Sequence, residues 1–130
     1  KEQLVASDAT WKVIVSSVPI SIPTGFPPTG GRDGWANFDQ NTGYERELLD
    51  ILRFMQGNGI RNSVWITTDV HFAEAFRYEP FPDDPGFAVH ELVTGPMNAG
   101  IFPTTDFDKT LNPERLAFFG PTAPGDVTAW

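Results

Sequence analysis

An α/β (α+β) domain is predicted by three features of the sequence. Two β-branched, mostly apolar runs, residues 11–18 (WKVIVSSV) and 63–67 (SVWIT), bracket one amphipathic helical stretch, as in a parallel strand–helix–strand unit. Two later runs, residues 72–78 and 87–93, are separated by the turn-rich EPFPDDPG, as neighbouring antiparallel strands are. The 130 residues, 40% hydrophobic and carrying 11 Phe and 4 Trp, suit one domain with a single core.

Residues 1–8 (KEQLVASD) are short, charged and compatible with a helix. The run 11–18 then reads as a buried strand. Residues 19–43 hold four Pro and five Gly, so a long loop follows, of a kind that is usually functional or disordered. Its aromatics Phe26, Trp35 and Phe38 favour a loop packed on something. Thr42-Gly43-Tyr44-Glu45 matches a capping box. Tyr44, Leu48, Ile51, Leu52 and Met55 recur on one helical face, and Gly57 and Gly59 end the helix. Residues 94–108 are irregular, and Thr94-Gly95 reads as a turn. In NPERLAFF (112–119), Asn112 as N-cap and Pro113 at the first helical position predict one helical turn or more.

Several function classes are excluded. A net charge of −8 leaves no nucleic-acid-binding surface, since phosphate neutralisation needs clustered Lys and Arg. With no Cys, disulfide scaffolds and thiolate zinc sites are ruled out. No apolar run approaches the roughly 18 residues of a transmembrane segment, and no signal-peptide core appears. There is no Gly-x-Ser-x-Gly elbow. PTGGRDG lacks the Lys-Ser/Thr of a phosphate loop. The PDDPG turn, with Asp83 and Asp84, reads as a solvated acidic turn rather than a calcium loop.

One short motif carries chemistry. Asp69-Val70-His71 closes the apolar run 63–67. On a strand, residues i and i+2 share a face, so carboxylate and imidazole would converge. Ligands in α/β sheets bind beyond the carboxyl ends of parallel strands, and an O,N pair suits iron, zinc or manganese. Two donors do not complete a site. The remaining candidates are His90 on a later strand and Asp33, Asn98, Asp106 and Asp108 in loops. The residues leave two readings open, a metal corner and a hydrogen-bonded strand end. Trp35, Phe38 and Trp65 read as packing residues.

The succession WKVIVSSVPI, RDGWANF, YERELLDIL, VWITTDVHFAEAF and HELVTGPMNAG resembles the C-terminal half of the alkaline phosphatase D (PhoD-like) family over roughly residues 2–120. The resemblance implies a metallophosphoesterase-like layered β-sandwich flanked by helices, with residues 1–130 as its C-terminal part, a fragment of a longer chain. It implies a phosphomonoesterase/phosphodiesterase. Two metal ions, iron and calcium or else zinc or manganese, would activate a water for in-line attack on phosphorus. Asp69 and His71 match the metal ligands of the family's Gly-Asp-Val-His motif, with Thr68 in place of Gly. Acid should release the metal, because His71 coordinates only when neutral. Asp33 and Trp35 match a loop near the substrate entrance, and His90 and Asn98 are supporting positions. The partners implied are a phosphate ester and the N-terminal part of the same enzyme, without which this chain should be inactive. The implied location is periplasmic or secreted. The competing expectation is a non-catalytic binding module with aromatic loops.

Overall fold

The computed structural model describes residues 1–24, 34–38, 43–102 and 106–121. In chain order the elements are α1 (Glu2–Ala6), β1 (Lys12–Val15), α2 (Glu45–Gly57), β2 (Ser63–Thr67), β3 (Ala73–Tyr78), β4 (Val89–Val93) and β5 (Pro113–Phe119). The strands form one mixed sheet in the order β1-β2-β4-β3-β5. β1, β2 and β4 run parallel, and β3 pairs antiparallel with both β4 and β5. The parallel β1–α2–β2 unit and the antiparallel β3–β4 pair are therefore as expected from the apolar runs. β1, however, is a short edge strand with one face exposed and not the buried strand expected over residues 11–18.

Alternation divides the sheet into two unlike faces. On one, Ile14, Trp65, Glu91 and Phe76 lie in register across β1, β2, β4 and β3. The buried stripe of α2 (Leu48, Leu52, Met55) joins Trp65, Phe76, Tyr78, Phe87 and Val89 in the core. Ile20 and Ile22 from the long loop complete it. On the other face, Val15, Ile66, Leu92, Ala75 and Ala117 are in register. Here Val13 is 59%, Val15 75% and Phe119 64% exposed. Among the described residues no element covers this side, so the second layer of the sandwich is not seen there.

Helix α2 begins one residue after its N-cap, Tyr44. The expected capping box is replaced by a different arrangement. Glu45 is the first helical residue, and its Oε1 accepts from the backbone N–H groups of Asn37 (3.0 Å) and Gly43 (2.9 Å). The carboxylate thus ties the helix start to the preceding loop and suits the positive helix end. Thr42 lies outside the described residues. At the other end Gly57 is still helical, and Gly59 (φ +68°) takes the left-handed turn, which Gly adopts at little cost.

Residues 113–119 are not a helix. They form edge strand β5, paired with β3 from Ala73↔Phe119 to Tyr78↔Pro113. Asn112 has φ 51° and donates its N–H to the Lys109 carbonyl (3.0 Å), so it closes a turn instead of capping a helix. Pro113 then opens a strand at the sheet edge, a position where its missing N–H costs no ladder bond. A register shift opposite Ala75/Phe76 leaves Leu116 as the extra residue of a bulge, which obscures the alternation.

Candidate functional site

The carboxyl ends of the three parallel strands meet along one edge of the sheet. The Ser16 N–H donates to the Ile66 carbonyl (3.0 Å), and the Thr94 N–H to the Thr67 carbonyl (2.8 Å). The Thr68 hydroxyl reaches the Ser17 carbonyl (3.1 Å). Residues 68–72 cross this edge as a bend between β2 and β3. Asp69 and His71 therefore lie just past the strand, not on it, and the expectation that strand pleating aims both side chains is replaced by turn geometry. Asp69 has φ 80°, a left-handed conformation that costs a non-Gly residue on the order of 1 kcal/mol and that clusters at functional sites. The strained position is thus Asp69 itself, and Thr68 stands outside the left-handed region.

His71 is held from several sides by one segment. Its Nδ1 contacts the Gly100 carbonyl oxygen. Its ring stacks on Phe102, with centroids 4.8 Å apart and planes 26° apart. Its own carbonyl accepts the Phe102 N–H at 3.2 Å. A carbonyl oxygen only accepts, so Nδ1 carries the proton and Nε2 of the neutral ring keeps a lone pair. Asp69 is exposed and has no hydrogen bond or ion pair with any described residue. In donor type the pair fits a metal ion. In number it does not complete one, because no group of three or more His, Asp or Glu that could hold a metal occurs among the described residues.

The turn is pressed between two glycines. A Cβ on Gly95 would stand 3.1 Å from the Phe72 carbonyl oxygen and 3.2 Å from its carbonyl carbon; one on Gly120 would stand 2.9 Å from the Phe72 Cβ.

Beneath the edge sits a buried polar network that sequence reasoning missed. Glu91, fully buried on β4, accepts from the Thr67 hydroxyl (2.6 Å) and the Ile20 N–H (2.8 Å) through Oε1. Its Oε2 accepts from the Tyr78 hydroxyl (2.5 Å), which in turn bonds Ser21 Oγ (2.7 Å). Burial raises the Glu91 carboxyl above its ordinary range, against the opposing pull of the Thr67, Tyr78 and Ile20 hydrogen bonds. Burial also pushes the Tyr78 phenol well up, helped by the neighbouring Glu91 charge. The one available signal was parity: Glu91 stands in the Val89, Glu91, Val93 series that faces the core.

The other candidates are dispersed. Asp33 lies outside the described residues. Trp35 is a loop anchor: its Nε1 donates to Ser16 Oγ (2.7 Å), and its ring meets Trp65 edge-on at 5.8 Å. His90 pairs with Val64 and Arg77, on the uncovered face and roughly 10 Å down the strand from Thr67 at the usual rise per residue. Asn98 is exposed in the loop after β4. Asp108 caps a turn, accepting from Thr110 N (2.8 Å) and Phe38 N (2.8 Å). Asp106 pairs with Lys109 at 3.4 Å. Asp83 and Asp84 pair with Arg53 (3.1 Å) and Arg61 (2.9 Å), so the acidic turn is clamped to α2 and its C-terminal flank.

A family model described as PhoD-like phosphatase matches residues 1–120. No curated protein and no solved structure matches the chain.

Proposed function

Because this chain belongs to the PhoD-like phosphatase family, we propose that it is the C-terminal part of a metal-dependent phosphoric ester hydrolase in which Asp69 and His71 hold a metal ion. The observation that carries the assignment is the His71 ring. A ligating imidazole commonly donates its second N–H to a carbonyl or carboxylate, which fixes the tautomer, and Nδ1 on the Gly100 carbonyl is that arrangement. Asp69 beside it holds a left-handed backbone, a kind of strain that clusters at functional sites.

The remaining donors would come from the N-terminal part of the same enzyme. Its second sheet would lie on the apolar face of Val13, Val15, Leu92 and Phe119 and complete the layered sandwich. A bound metal ion, or two, of iron, calcium, zinc or manganese character, would supply an activated water and charge for the phosphoryl oxygens. This chain's own part is to present Asp69 and His71 at a fixed angle beyond the parallel strand ends. The family's usual setting makes a periplasmic or secreted location the one proposed. Among the described residues no helix is long and apolar enough to cross a membrane.

With a net charge of −8, the protein repels a phosphate ester unless cations invert the local field. Removing metal from the full-length enzyme should therefore abolish binding of p-nitrophenyl phosphate and bis(p-nitrophenyl) phosphate as well as their hydrolysis. Chelation that leaves affinity unchanged would count against the assignment. The rival reading, a binding module, is favoured by a cavity of about 690 Å³ along β1 lined by Trp11, Trp35 and Trp65. It requires Asp69 and His71 to be replaceable with little consequence beyond local stability.

A further inference from the structure

We infer that the segment Gly100–Phe102 is a clamp that sets the tautomer and ring orientation of His71, which makes Phe102 a positioning residue for that ligand. This rests on the reading of His71 as a metal ligand. Three contacts of different kinds converge from a stretch of three residues. The Gly100 carbonyl takes the Nδ1 proton, the Phe102 N–H holds the His71 carbonyl (3.2 Å), and the Phe102 ring covers one imidazole face (4.8 Å). The carbonyl fixes which nitrogen bears hydrogen. The backbone bond fixes where the residue starts. The stack restricts rotation about the Cβ–Cγ bond, leaving Nε2 one direction to face.

Phe102 is 58% exposed and absent from the core cluster, so folding does not explain its placement on a polar ring. Aromatic ring pairs prefer centroid separations of this size. Its root in the fold is firm: the loop that leads to it leaves β4 after Val93, and Gly95 near its start is seated against the Phe72 backbone.

The test uses metal-depleted full-length protein titrated with Zn²⁺, together with 15N spectra of the His71 ring. Wild type should show an Nδ1–H, Nε2-lone-pair imidazole. Phe102→Ala should weaken Zn²⁺ binding by about 10- to 100-fold, the usual loss when an outer partner of a ligand is removed, at unchanged thermal stability. Phe102→Trp, which keeps a stacking face, should restore it. Equal Zn²⁺ affinity in wild type and Phe102→Ala overturns the clamp, as does a loss that Phe102→Trp does not repair. If wild type binds no Zn²⁺, the ligand reading fails instead. The clamp is then judged on the spectra alone: an Nε2–H tautomer in wild type, or ring 15N shifts and linewidths unchanged by Phe102→Ala, overturns it.

Discussion

His71→Ala in the full-length protein is expected to lower phosphoester hydrolysis by more than about 100-fold, because loss of a ligand should exceed the 10- to 100-fold typical of its outer partners. Asp69→Ala should act in the same direction, and the double variant should lose bound metal on elemental analysis. The two replacements differ in their structural side effects. Asp69 pays for a left-handed backbone (φ 80°), so Asp69→Asn, which tolerates that conformation, separates loss of charge from loss of shape. The His71 ring is only half-buried and its contacts are with Gly100 and Phe102, so His71→Ala should leave the melting temperature nearly unchanged. Metal content equal in wild type and the double variant would remove these residues from the site. No metal in either would favour the binding module.

Glu91→Ala should destabilise the domain by about 3–5 kcal/mol, because it strands three buried donors (Thr67, Ile20 and Tyr78) at roughly 1–3 kcal/mol each, offset in part by local relaxation. Glu91→Gln keeps two acceptor bonds and can donate to the Tyr78 oxygen, so its cost should be near 1 kcal/mol. The pH dependence follows from the raised carboxyl. Between its ordinary value and its folded value the folded state binds more proton than the unfolded chain, so stability must fall as pH rises across that window. The net contribution of Glu91 to stability is greatest on the acid side of the window, and Glu91→Gln should flatten this slope. Denaturant titrations of wild type and Glu91→Gln from acid to neutral pH measure it. A stability difference between wild type and Glu91→Gln that instead rises across the same window would refute the assignment.

Much of the sheet was legible because its evidence was local. SVWIT became β2 with the expected ends, and the amphipathic stripe Leu48, Leu52, Met55 found the core. β5 was not legible, since Asn112-Pro113 carries a strong local helix signal and the pairing with β3 that overrides it is made some 35 to 46 positions earlier in the chain. The Asp-x-His pair was legible as donors but not as geometry, because the bend past Thr67 sets their directions. The roles of Glu91 and Phe102 were hidden for one reason. Their partners, Ile20, Thr67 and Tyr78 for the first and His71 for the second, are brought together only by folding.

The two glycines against Phe72 bear on how a mutational scan of this protein would look. No positive φ is recorded at Gly95 or Gly120, so neither is there for backbone freedom; each is there because a neighbouring chain leaves no room. In a library selected for activity both positions should tolerate almost nothing, and would score alongside Asp69 and His71. A tolerance map would therefore draw the site larger than its chemistry. Selecting the same library for folded protein alone would separate the two kinds of intolerance, with the glycines still depleted and Asp69 and His71 restored.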